Sequence, residues 1–186
     1  MNGLIEIAVY GRGGQGAVTA AELLAKAAFR NGRYSQAFPS FGVERRGAPV
    51  SAFCRISDEK ITLKSQVYYP NYALVLDSTL LPMVDLDAIA KKKGAVIVNT
   101  SQNIPLGRKG GIKFFKADIS SIAREIFGAD IVNTAIVAAF SAFTKEVSIE
   151  AVEESLPEIF SDEKMLEKNR TAVRKAYELC VGMIKK

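Results

Sequence analysis

The residues best placed to do chemistry stand early in the chain. Gly11-Arg12-Gly13-Gly14-Gln15-Gly16 has the spacing Gly-x-Gly-x-x-Gly and lies between an apolar run, Leu4 to Tyr10, and an alanine-rich segment that starts at Ala17. In a strand–turn–helix setting this spacing suits phosphate. Glycines reach backbone angles closed to other residues, let a pyrophosphate approach the main chain, and leave the N–H groups of the helix start aimed at the anion. A second segment, Phe38 to Pro49, is punctuated by Pro39, Gly42, Gly47 and Pro49 and carries the twin arginines Arg45 and Arg46, which have no evident core role. Such arginines offer bidentate donors to phosphate or carboxylate, or pair with acids on a neighbouring subunit. The expectation is that the two loops form one binding surface.

A dinucleotide reader of this kind also needs an acid roughly 20 residues on, at the end of the second strand, to hold the ribose hydroxyls. That region reads Arg33-Tyr34-Ser35-Gln36-Ala37-Phe38 and has no carboxylate. NAD is therefore disfavoured. Arg33 is a candidate for an extra phosphate, as on NADP or on the 3′-phosphate of coenzyme A, against the plainer reading of a solvated arginine at a helix end. The glycine segment itself is open to two readings at this point, a nucleotide site or a tight structural turn.

Composition removes several classes of chemistry. The chain has no histidine, and its two cysteines, Cys54 and Cys180, are far apart with no CxxC. Four-ligand zinc sites and four-cysteinate iron–sulfur clusters are beyond it alone, as are the imidazole bases and the Ser-His and Cys-His nucleophiles. No catalytic residue and no metal ligand is expected on it. The net charge of +5 is dispersed in small clusters such as Lys91-Lys92-Lys93 and Arg108-Lys109. This suits a phosphate-bearing ligand or an acidic partner, or simply a solvated surface. Basic and aromatic residues do not interleave as on a nucleic-acid platform, so no nucleic-acid partner is expected. No run approaches about 18 apolar residues and the first ten do not read as a signal peptide, so the expectation is a cytoplasmic protein without a membrane partner.

The elements that must position these residues alternate in type. Leu4 to Tyr10 reads as a buried strand, and a helix from Ala17 is stopped near Gly32. Ser35 to Phe38 is a short strand, and Val50 to Ile56 a half-buried one that forms a hairpin with Ile61-Thr62-Leu63 across Asp58-Glu59-Lys60. Ala73 to Asp77 is a buried strand, and Pro82 opens a helix through Lys91. Ala95 to Asn99 and Ile112 to Lys116 are further strands. Asp118 caps a helix Ile119 to Phe127 that Gly128 stops, and Ala135 to Phe143 is apolar on nearly every side. Ser148 caps a helix Ile149 to Phe160. Asp162 caps a final helix whose Leu166, Val173, Tyr177, Cys180 and Ile184 share one stripe, which reads as core packing. With 186 residues and 48% hydrophobic content, one domain over 1–186 is expected. Its class is a three-layer Rossmann-like α/β fold with a mainly parallel sheet and a hairpin-like insertion.

Two stretches together carry a resemblance. Gly11 to Ala21, and Gln36 to Val50 with its Glu44-Arg45-Arg46-Gly47-Ala48-Pro49, resemble the gamma subunit of 2-oxoacid:ferredoxin oxidoreductases of the pyruvate and 2-ketoisovalerate type. The likeness continues through Leu76-Asp77, Val98-Asn99-Thr100, Asn133-Thr134-Ala135 and Lys168-Asn169, so it covers nearly the whole chain. It departs at Val43, where the family often has proline. The resemblance implies a complex of alpha, beta, gamma and delta subunits that converts a 2-oxoacid, pyruvate above all, and coenzyme A to acyl-CoA and carbon dioxide while reducing ferredoxin. It places thiamine diphosphate between alpha and beta, and the [4Fe-4S] clusters on beta and delta. The gamma chain would help bind coenzyme A and close the active site, and, if alpha and beta build the substrate pocket, would be able to serve more than one 2-oxoacid enzyme. The site residues carried over are Gly11, Arg12, Gly13, Gly14, Gln15 and Gly16 at the phosphates, with Arg45 and Arg46 positioning the ligand or the alpha–beta interface. Two alternatives stay open: a stand-alone NADP- or CoA-binding domain, and a purely structural assembly subunit.

Overall fold

A computed structural model describes residues 3–40, 47–103 and 111–184. Strand periodicity builds its centre. In β1 (Ile5–Arg12), Ile7 and Val9 point to one face of the sheet and Ala8 to the other, all fully buried. β2 (Tyr34–Pro39), β3 (Pro49–Ser57), β4 (Tyr72–Val75), β5 (Ala95–Asn99) and β6 (Lys113–Ala117) complete one six-stranded sheet in the order β2-β3-β1-β4-β5-β6. β1, β4, β5 and β6 pair in parallel, while β3 runs antiparallel to both β1 and β2. The expected α/β class with a mainly parallel sheet holds.

The two faces are covered unequally. Against one lie α1 (Ala17–Arg30), α3 (Ile119–Phe127), α4 (Asn133–Thr144), α5 (Ile149–Ser155) and α6 (Glu163–Ile184). α4 is the centre of this layer, buried from Asn133 through Ala142, so it needs almost no polar face. The other face carries a 3-10 turn at Ser78–Met83, the short α2 (Leu86–Lys91) and an irregular strap through residues 58–71, of which Val67 is buried against Ala8 and Phe53.

Five expectations need correction. Ile61 to Leu63 is not a strand; the antiparallel partner of β3 at the sheet edge is β2. The strap is held instead by Arg55, which lies in β3 at 1% exposure. Its Nε donates to Glu6 Oε1 at 3.1 Å, and Nη2 to the carbonyl of Ser65 at 2.8 Å. β3 is consequently buried from Ala52 to Ser57 and not half-buried. Pro82 falls inside the 3-10 turn and does not open a helix; α2 begins only after Asp85, whose Oδ1 takes the amide of Ala88 at 2.9 Å. α5 ends at Ser155, after which Leu156–Glu158 is a 3-10 turn around Pro157. Ile184 is 53% exposed and lies off the buried stripe of α6. The caps at Asp118, Ser148 and Asp162 are as expected, each side chain accepting an amide in the first turn of its helix.

Candidate anion-binding site

The carboxyl ends of β1, β4, β5 and β6 meet at one edge of the sheet, where α/β folds place their ligands. β1 extends two residues beyond its expected end. Gly11 pairs with Val50 and Arg12 with Pro49, so the first half of the glycine motif is strand. The turn itself is Gly13 to Gly16. It is closed by a bond from the Gln15 amide to the Arg12 carbonyl at 2.9 Å, and by one from the Arg12 amide to Gln15 Oε1 at 2.7 Å. Gly14 and Gly16 have φ of 95° and 79°, a region that side chains with a Cβ rarely enter. Gly16 is needed twice over, since a Cβ there would run into the side chain of Asn133 at the start of α4.

Gly16 is also the cap residue of α1. It gives no side-chain bond to the helix start, and no acid stands in the first turn. A helix start without a side-chain cap or a first-turn acid is the kind of position at which folds of this class hold anions.

The foot of the second loop is fastened to this turn. The Gly13 amide donates to the Ala48 carbonyl at 2.8 Å and the Gly47 amide to the Gly13 carbonyl at 3.1 Å. Arg12 adds a side-chain link. Its Nε donates to Asp77 Oδ2 at 2.9 Å, Nη2 to Thr79 Oγ1 at 2.7 Å and Nη1 to the Gly47 carbonyl at 3.2 Å. Burial alone would raise the Asp77 carboxyl, but the hydroxyl and amide of Thr79 and the Arg12 guanidinium outweigh it and hold it below its ordinary value. Arg45 and Arg46, like Phe41 to Glu44, lie outside the described residues.

Beside the turn, a polar cleft of about 250 Å³ opens between Gln15, Asp77, Asn99, Ser120 and Arg124. Asn99 is its floor and is fully committed. Its Nδ2 donates to the Leu76 carbonyl and to Ser120 Oγ, while its Oδ1 accepts the amides of Ile119 and Ser120. It ties β4 and β5 to the start of α3. Arg124 forks onto Asp130, with Nε 2.8 Å from Oδ1 and Nη2 3.1 Å from Oδ2.

Arg33 is not at this site. It follows α1 at the opposite edge of the sheet, where its Nε bonds Asp58 at 2.9 Å and Nη1 approaches Glu146 at 3.4 Å. Sequence reading also missed the part played by Asp77 and Thr79. Its available signal was a carboxylate at the end of a buried strand, the position that faces the ligand edge of such a sheet. Among the described residues, no group of three or more histidine, cysteine, aspartate or glutamate side chains is arranged to hold a metal ion. No helix there is long and apolar enough to cross a membrane.

Comparison with known proteins fits this geometry. Residues 6–179 match the family model for pyruvate ferredoxin/flavodoxin oxidoreductase. The chain is 51% identical over 175 residues to pyruvate synthase subunit PorC of Methanocaldococcus jannaschii, covering 94% of this chain and 96% of that one. It is 50% identical over 179 residues to the pyruvate/ketoisovalerate oxidoreductases common subunit gamma of Pyrococcus furiosus, with 94% and 96% covered. The crystal structure of pyruvate oxidoreductase subunit PORC from Thermotoga maritima superposes with a TM-score of 0.78 at 35% identity, covering 96% of this chain and 97% of that one. At 20% identity, the fold also matches 32% of the 2-oxoglutarate:ferredoxin oxidoreductase chain of Magnetococcus marinus, with a TM-score of 0.79 over 98% of this chain. The chain therefore belongs to the pyruvate ferredoxin/flavodoxin oxidoreductase family, as a gamma-type subunit and not a complete enzyme.

Proposed function

We propose that this gamma subunit binds the phosphate portion of coenzyme A at its glycine turn and helps close the active site of a pyruvate-type 2-oxoacid:ferredoxin oxidoreductase. Its partners are alpha, beta and delta subunits, which hold thiamine diphosphate and the [4Fe-4S] clusters and pass electrons to ferredoxin. The observation that carries the reading is the start of α1. It is an uncapped set of amides behind a left-handed glycine turn, with no acid in its first turn, at the ligand edge of the sheet. The Magnetococcus oxidoreductase, 32% of whose chain shares this fold, was solved with coenzyme A and succinyl-CoA bound, which supports coenzyme A as the ligand to test here.

The position beside β1 argues against a dinucleotide. There, a second parallel strand would end in the acid that holds ribose. Here the antiparallel β3 begins beside Arg12 and fills that place. Coenzyme A supplies the thiol that takes up the acyl group. This chain's residues bind and orient: Gly13, Gly14, Gln15 and Gly16 shape the anion seat. Arg12 adds positive charge there, three of its five N–H donors being used by Asp77, Thr79 and Gly47. Arg45 and Arg46 directly precede Gly47 in sequence and are the proposed further cations.

Gln15→Glu tests the seat with little structural change, because a carboxylate oxygen can still accept the Arg12 amide while adding a negative charge. In the assembled enzyme the KM for coenzyme A should rise about tenfold, as expected for one repulsive charge a few ångströms from a phosphate. The KM for the 2-oxoacid should not change. An unchanged KM for coenzyme A in an intact complex rejects the phosphate role and leaves the turn as a structural device.

A further inference from the structure

Three segments distant in sequence converge on one ion pair. Arg12 belongs to the end of β1, Asp77 and Thr79 to the start of the 3-10 turn after β4, and Gly47 to the foot of the β2–β3 connection. Asp77 holds both of its neighbours at once. Its Oδ2 takes Arg12 Nε, while its Oδ1 takes the Thr79 amide at 3.0 Å and the Thr79 hydroxyl at 2.6 Å. The main chain reinforces the same junction through the Leu76 amide on the Tyr10 carbonyl at 2.9 Å. The pair is partly shielded, with side-chain exposures of 36% for Arg12 and 22% for Asp77.

A carboxylate at the ligand edge of a phosphate-binding fold repels the ligand unless it is neutralised, so its presence needs a reason. The reason lies in what it holds. Without Asp77, the Arg12 guanidinium loses the charged partner that orients its fork, and its bond to Thr79 Oγ1 is left as the side-chain link between the glycine turn and the turn after β4.

We propose that Asp77 is a positioning residue for coenzyme A. Through Arg12 it locks the glycine turn, the foot of the β2–β3 connection and the start of the 3-10 turn into one arrangement, and that arrangement sets affinity without any contact from Asp77 to the ligand. This inference rests on the coenzyme A reading above. It differs from a direct role for Arg12 in a way that can be measured. If Arg12 were merely a phosphate ligand restrained by Asp77, removing Asp77 would free it and tighten binding.

The experiment uses the reconstituted oxidoreductase carrying Asp77→Ala, the near-isosteric Asp77→Asn, Arg12→Ala and the double variant Arg12→Ala/Asp77→Ala, with Gln15→Glu alongside. Both Asp77 variants should raise the KM for coenzyme A about fivefold or more, with kcat and the 2-oxoacid KM within twofold. Arg12→Ala should be worse, because it leaves an unpaired carboxylate facing the phosphates, and adding Asp77→Ala should recover part of the loss, a non-additivity expected of residues in contact. A KM for coenzyme A that stays the same or falls in both Asp77 variants overturns the inference. So does a loss confined to kcat or to assembly. A Gln15→Glu response without an Asp77 response removes only the positioning role, whereas a silent Gln15→Glu removes the phosphate reading beneath it.

Discussion

Arg12 and Asp77 tie the glycine turn to the start of the 3-10 turn. The Asp77 carboxyl is depressed in the folded chain, so its contribution is present above the ordinary carboxylate range and is lost only as pH falls through the folded value. At neutral pH the Asp77 carboxyl is therefore ionised. The two thiols take no part in this chemistry. Cys54 and Cys180 are fully buried, and burial pushes Cys180 up to about 12 and Cys54 upward as well. Neither should react with a thiol reagent such as Ellman's at neutral pH in the native chain, and both should titrate after denaturation. Rapid native labelling of either would contradict the burial described.

At the scale of elements, Gly16 joins two helices. Its positive φ caps α1, and its missing side chain admits Asn133 at the start of α4. Gly16→Ala should therefore destabilise the isolated chain by about 2–4 kcal/mol, from left-handed strain and overpacking together, and do so without any ligand present. Chemical denaturation checks this, and a variant of wild-type stability would mean that α1 and α4 do not meet there. The last glycine of the motif was legible in the sequence but its reason was not, because the neighbour that requires it lies 117 residues away. The strands show the same division. Short apolar runs located β1 and β5, and alternation located β3, each to within one or two residues, since both are local properties. Strand partners are not local. Nothing near Val50 says that β3 pairs with β1 and β2 and not with Ile61 to Leu63. The register that sets Arg55 opposite Glu6, and so buries a charge in β3, is likewise a property of the whole sheet.

For the molecule as a whole, the functional claim concerns one edge of one sheet. Four parallel strand ends, the α1 start and the β2–β3 foot gather there, while the five helices of the thicker layer support it from behind. That division shows what a chain without histidine or a cysteine cluster can offer an oxidoreductase, a shaped and charged edge, in keeping with the proposal that the redox cofactors sit on its partners. The most direct test is backbone hydrogen exchange of the assembled oxidoreductase with and without coenzyme A. Exchange should slow across residues 13–20 and 47–50, and stay unchanged along α6. If coenzyme A slows exchange only elsewhere in the complex and leaves residues 13–20 untouched, the glycine turn is not its phosphate seat.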